Sequence, residues 1–200
     1  MRIGIYGGAF DPVHYGHLLL AEMCREQCQL DEVWFVPTRR PPHKDLDLTE
    51  GRHRVEMLKF AVAGHRQFQV KTLELDREET SWTVDTLAVV KSQQPESTLF
   101  FLMGADSLRD LPTWRQPERI AQLATLVAVN RGTQKSEEFL KGLAPSIVPR
   151  VRFVTMPGVA LSATEIRERI RHRQSVRFMV PRAVEEYIAQ HGLYRDEPSR

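Results

Sequence analysis

Apolar residues along this chain come in short runs, and the stretches between them carry the spacing of amphipathic helices. Ile3, Ile5 and Tyr6 open the chain as a short buried strand, and Val33-Trp34-Phe35-Val36 reads as a second, ended by Pro37. Phe68 to Leu75 predicts a third. Thr98-Leu99-Phe100-Phe101-Leu102-Met103 is the most apolar run of all, which predicts a buried central strand. Leu126 to Val129 and Val151 to Val154 complete the set. Helical spacing begins at Gly16 with Leu18, Leu19 and Met23, and returns over Arg52 to Val62 and Val84 to Lys91. A short helix closes at Phe139 to Gly142, and two more cover Thr164–Arg171 and Ala183–His191, the last opened by Pro181. The tail from Asp196 is expected to be loose. Alternation of this kind predicts an α/β fold, a parallel sheet with helices on both faces. The expected organisation is one domain over residues 1–200, with residues 162–195 as a small C-terminal helical part.

Composition narrows the function classes. Two hundred residues are enough for an α/β core, and two cysteines make no disulfide framework, which suits a reducing compartment. No charged leader precedes an apolar segment, and no apolar run is long enough to span a bilayer. A cytoplasmic protein without a membrane partner is expected. The net charge of +2 is too small to argue for a nucleic acid, but it is unevenly spread. Between Arg150 and Arg182 eight arginines stand against Glu165 and Glu168; that local +6 leaves −4 for the rest of the chain. A basic face on a near-neutral protein suits a small phosphorylated ligand, although a solvated helix face accounts for most of these arginines.

Candidate chemistry starts at the end of the first strand. Gly7-Gly8-Ala9-Phe10-Asp11-Pro12 is followed by His14 and His17 at the start of a helix. Paired glycines let a ligand approach the main chain, and Asp11-Pro12 stops both neighbouring elements. The histidines thus lie at a strand's C-terminal end beside a helix N-terminus, where open α/β sheets bind phosphorylated ligands. A structural histidine pair is the plain alternative. Zinc needs about two further ligands, and Cys24 and Cys28, spaced i,i+4 on the next helix, fit the core better, so no metal site is assigned. The glycines match neither the dinucleotide fingerprint nor the P-loop.

Gly8-Ala9-Phe10-Asp11-Pro12-Val13-His14-Tyr15-Gly16-His17 resembles the first motif of the nucleotidylyltransferase superfamily, G-x-F-D-P-x-H-x-G-H. The resemblance implies a Rossmann-like doubly wound sheet and a nucleotide site over Gly7, Gly8, Ala9 and Phe10, with His14 and His17 on the triphosphate. Many relatives carry Thr or Ser where Ala9 stands, so a hydroxyl contact there is lost. Leu161-Ser162-Ala163-Thr164-Glu165-Ile166-Arg167 is similar to the second motif, I-S-x-T-x-x-R, with Leu161 for isoleucine. Ser162 and Glu165 also form a capping box that needs no ligand, while Ser162, Thr164 and Arg167 around a helix N-terminus make an anion site. Lys44, in the Pro-rich flap Thr38–Lys44, is either a solvated loop lysine or a mobile charge over the phosphates, as the resemblance implies.

The middle of the chain is similar to the nicotinate-mononucleotide adenylyltransferase branch. Ser81-Trp82-Thr83-Val84-Asp85-Thr86-Leu87 resembles S-Y-T-x-D-T-L, and Gly104-Ala105-Asp106-Ser107-Leu108 with Leu111-Pro112-Thr113-Trp114 resembles a second stretch of that branch. The likeness implies Thr83, Asp85 and Trp114 on the mononucleotide, with Trp114 stacking on the pyridine. Core packing is the plain alternative for either tryptophan. Gly104 and Asp106 follow the central strand, and the carboxylate is either a helix N-cap or an acceptor for ribose hydroxyls.

The activity the resemblance implies is adenylyl transfer from ATP, with Mg²⁺ bound through the nucleotide, to nicotinate mononucleotide, giving deamido-NAD and pyrophosphate in NAD biosynthesis. His14, His17, Lys44 and Arg167 are the catalytic candidates. Phosphopantetheine or nicotinamide mononucleotide are alternative acceptors, and a nucleotide-sensing module is the alternative from outside enzymes.

Overall fold

The computed structural model describes residues 1–39, 48–77, 80, 82–130 and 136–195. Six strands, β1 (Arg2–Gly8), β2 (Glu32–Pro37), β3 (Phe68–Val70), β4 (Thr98–Gly104), β5 (Thr125–Asn130) and β6 (Val151–Thr155), form one parallel sheet in the order β3-β2-β1-β4-β5-β6. Seven α-helices accompany them among the described residues: α1 (Tyr15–Gln27), α2 (Gly51–Val62), α3 (Thr83–Gln93), α4 (Ala105–Asp110), α5 (Pro117–Leu123), α6 (Ala163–Arg171) and α7 (Arg182–Gln190). This is the Rossmann-like α/β fold. None of these helices is long and apolar enough to cross a membrane.

Alternation along the strands explains the layers. Tyr6, Val33, Phe35, Phe100, Leu102, Val127 and Val129 point to one face and pack with residues of α1, α2, α6 and α7. Their sequence neighbours Ile5, Trp34, Val36, Phe101, Met103, Leu126 and Ala128 point to the other, against α3, α4 and α5. A parallel sheet covered on both sides reads as continuous apolar runs for this reason. Cys24 and Cys28 are fully buried. Ile166, Ile170, Val184 and Ile188 share the first of these cores, so α6 and α7 are packed onto the sheet itself.

Three expectations change. The third strand stops at Val70, and Leu73 to Asp76 form a turn that carries the buried Glu74. The short helix expected to close at Phe139–Gly142 is a 3₁₀ turn over Ser136–Leu140. Two short helices are added: α5 stands where no helix is expected, and α4 where the sequence offers only a cap at Asp106; at 6 and 7 residues they are below the length at which apolar periodicity becomes visible.

The register positions the site. Pairing between β1 and β4 ends at Ile5 with Phe101. Beyond that point β1 stays paired with β2 as far as Gly8 with Pro37, and β4 with β5 as far as Gly104 with Val129. The strand order also reverses here, so a crevice opens between Tyr6–Gly8 and Leu102–Gly104 at the carboxyl ends of the two central strands.

Candidate active site

The turn after β1 is made by Phe10 rather than by the glycines. Gly7 and Gly8 are the last residues of the strand, and Phe10 takes φ +48°. A bulky residue in the left-handed region is uncommon and is held by its surroundings. The Phe10 ring is buried, with its centroid 5.3 Å from Tyr6, 5.1 Å from His17 and 5.7 Å from Phe35. A Cβ on Gly8 would lie 3.1 Å from that ring, so the glycine is what lets the aromatic side chain fold back over the strand end.

The two histidines have different positions. His14 is the N-cap of α1, and its backbone N–H donates to Nδ1 of His17 at 3.2 Å. Nδ1 is thereby the acceptor, and the proton of the neutral His17 ring sits on Nε2, its donor. The rings stack with centroids 3.7 Å apart. His17 lines the crevice, whereas His14 is 3% exposed and does not. A Cβ on Gly16 would come 3.0 Å from the His14 ring, which accounts for a glycine between the histidines.

The crevice is a cavity of about 830 Å³. Its walls include Gly7, Gly8, Phe10 and His17 from the first motif, Gly104, Ala105 and Asp106 after β4, Asn130 at the end of β5, and the aromatic rings of Trp114 and Phe139. Gly104 is the N-cap of α4, and Asp106 lies in its first turn with an exposed carboxylate 3.6 Å from Arg109. Asp106 is thus inside the helix rather than its cap. Trp114 is half-buried, set edge-on to Phe101 at 6.0 Å, and walls the cavity as well.

The second motif meets the first through the main chain. Ser162 is the N-cap of α6, and its hydroxyl accepts from the Glu165 N–H at 3.1 Å. Arg167, one turn on, donates from Nη1 to the Asp11 carbonyl at 2.7 Å. Ser162 and Thr164 are exposed, and neither lines the cavity, nor does Ala9. Several other arginines of the basic segment serve the fold: Arg150 bonds Ala121, Arg152 bonds Gln27, Arg169 bonds Ser175, and Arg182 pairs with Glu185.

Thr83 begins α3, with Trp82 as its N-cap, and neither it nor Asp85 lines the cavity. The Asp85 carboxylate sits 3.6 Å from Arg115, the residue after Trp114, and the Arg115 guanidinium lies over the Trp82 ring at 5.5 Å. Thr86 of the same stretch donates to the buried Glu74 at 2.8 Å, a structural contact. Lys44 and Ser81 lie outside the described residues.

Sequence reasoning missed a buried polar knot beneath the turn. Asp11 is 2% exposed; its carboxylate accepts from the Thr49 N–H at 3.0 Å and from the Tyr194 hydroxyl at 2.5 Å. Arg54, also 2% exposed, donates to the carbonyls of Thr49 and Ala9, each at 2.8 Å. Burial pushes the Arg54 guanidinium down, opposed by the nearby Asp11 charge, and burial together with Asp11 pushes the Tyr194 phenol up. Arg54 sits one residue before Val55 on the apolar face of α2, and that position was the available signal.

Comparison with known proteins agrees with the fold and shows the family. A cytidylyltransferase-like family model matches residues 5–169. A protein of Thermus thermophilus named a probable nicotinate-nucleotide adenylyltransferase is 48% identical over 195 residues, covering 98% of this chain and 100% of the relative. One of the same name from Thermomicrobium roseum is 42% identical over 196 residues, 97% of this chain and 92% of its own. Among solved structures, nicotinic acid mononucleotide adenylyltransferase of Plasmodium falciparum complexed with NaAD superposes with a TM-score of 0.78 at 24% identity, covering 96% of this chain and 97% of that one.

Proposed function

The chain belongs to the cytidylyltransferase-like family, and we propose that it transfers the adenylyl group of ATP to nicotinate mononucleotide, giving deamido-NAD and pyrophosphate. The protein is then a nucleotidyltransferase of NAD biosynthesis. The carrying observation is that one cavity joins the glycine strand end and His17, suited to phosphates, to the post-β4 turn and the Trp114 wall, suited to a flat ring. Two buried free thiols fit the proposed cytoplasmic setting.

The nucleophile is a phosphate monoester whose second pKa is about 6, so it is already anionic at neutral pH and needs no general base. What remains is to bring two polyanions together and to stabilise charge on the α-phosphoryl group and the leaving pyrophosphate. His17 donates from Nε2 to the phosphates, and His14 supports it from behind. Arg167 and Lys44 neutralise pyrophosphate, and Ser162 and Thr164 with the N-termini of α1 and α6 supply further donors. Asp106 and Gly104 face the nucleoside of ATP. Trp114 takes the pyridine, with Thr83 and Asp85 at the start of α3 supporting that end. Among the described residues no group of three or more His, Cys, Asp or Glu side chains could hold a metal. Mg²⁺ carried by the phosphates and water would need few dedicated protein ligands. When bound, that ion offsets phosphate charge.

Pyrophosphate release from ATP with nicotinate mononucleotide, nicotinamide mononucleotide or phosphopantetheine, run in parallel, tests the proposal. Turnover is expected with the first. Release with phosphopantetheine alone overturns it.

A further inference from the structure

Resting on that reading, we propose that Tyr194 is a positioning residue for the transfer, acting through Asp11 on Arg167 and the phosphate-gripping turn. Tyr194 comes from the far end of the chain, past α7, and packs against the core with its own backbone at φ +63°, two residues after Gly192 at φ +63°. A tyrosine at positive φ is locally unfavourable, so the packing and bonding of this side chain hold the backbone there. Its hydroxyl donates to Asp11 Oδ1 at 2.5 Å, with Met57 Sδ at 4.0 Å and the Thr49 side chain and the Arg167 charge also acting on it.

Asp11 is a junction. Its Oδ2 accepts from Thr49, its Oδ1 from Tyr194, and its carbonyl oxygen from Arg167 Nη1 at 2.7 Å. The peptide that orients the Arg167 guanidinium is therefore the one whose side chain Tyr194 clamps. On the N-terminal side the same turn continues into Phe10, whose ring contacts His17 at 5.1 Å, and into Ala9, whose carbonyl is held by Arg54. Arg54 and the Tyr194 clamp thus grip the two ends of one short turn, which touches His17 through the Phe10 ring and Arg167 through the Asp11 carbonyl. Because burial and Asp11 raise the phenol, it stays protonated and donating through the neutral range.

A structural role and a positioning role make different predictions. Tyr194→Phe retains the ring and loses only the donor. Misplacing Arg167 by a fraction of an ångström is expected to lower kcat by about tenfold. The KM for nicotinate mononucleotide should stay within about twofold, since Trp114 is on a separate wall. The deciding measurement is a double-mutant cycle with Arg167→Ala. If Tyr194 acts through Arg167, Tyr194→Phe slows the Arg167→Ala protein clearly less than it slows the unaltered one. Met57→Leu, which leaves the hydroxyl in place, should match the unaltered protein. Multiplying rate losses in the double variant, or an unchanged kcat for Tyr194→Phe, overturn the proposal. Should Tyr194→Phe fail to fold by circular dichroism, Asp11→Asn carries the same cycle with the same two outcomes. The unaltered protein's turnover reports on the proposed function alone, and the ratios between variants report on the positioning.

Discussion

His17 is the residue on which the chemistry depends most directly, because the His14 backbone N–H leaves its ring a single donor, Nε2, beside the cavity. His17→Ala is expected to lower the transfer rate by about 10²-fold or more, the effect of losing one preorganised donor. Steady-state pyrophosphate release checks this, and an undiminished rate removes His17 from the mechanism. Trp114 belongs to the opposite wall. Trp114→Ala should raise the mononucleotide KM while calorimetric ATP affinity stays level; a fall in ATP affinity would place this ring at the nucleotide end instead.

At the scale of elements, the start of α6 has two roles that substitution can separate. Ser162 caps the helix through its hydroxyl, and the same hydroxyl is proposed to meet phosphate. Ser162→Ala should cost about 1 kcal/mol of stability, whereas Ser162→Gly should cost only a few tenths, since glycine is tolerated at an N-cap. Both variants should weaken ATP binding equally. Urea unfolding and calorimetry on the pair decide: ATP affinity that tracks stability instead would reduce Ser162 to a cap. The strand ends work together in the same way. Once β1 and β4 part after Ile5 and Phe101, two glycine-containing ends face each other across the crevice.

For the whole molecule, the buried proton donors set a response to alkali. Tyr194 and Cys24 both have their acidities suppressed in the folded state, Tyr194 by burial and Asp11, Cys24 by burial and Cys28. Below the unfolded values, about 10 for tyrosine and 8.5 for cysteine, both states keep the proton and the contribution is full. Above them the unfolded chain ionises and the folded one does not, so stability falls by about 1.4 kcal/mol per pH unit for each group. Urea midpoints between about pH 8 and pH 11 should show this decline. In Tyr194→Phe the limb above about pH 10 should be shallower, and an identical slope would mean the phenol titrates normally.

The alternation of strands with the longer helices and the parallel sheet were determined by local sequence, whereas the nucleotide motif gives a reaction class only through its resemblance to a family. Each rests on a short pattern, whether an apolar run such as Thr98–Met103 or a fixed spacing such as His14 to His17. Only the tertiary structure decided how these parts share work. Nothing in the spacing tells His17, which lines the cavity, from His14, which sits behind it; the bond into Nδ1 and the room above Gly16 do that. Nor do local patterns reveal that Arg167 reaches Asp11 across 156 residues, or that Tyr194 reaches the same residue across 183. Those contacts depend on where the sheet places distant segments. Their energies come from burial and hydrogen bonding in one shared interior, which no window along the chain contains.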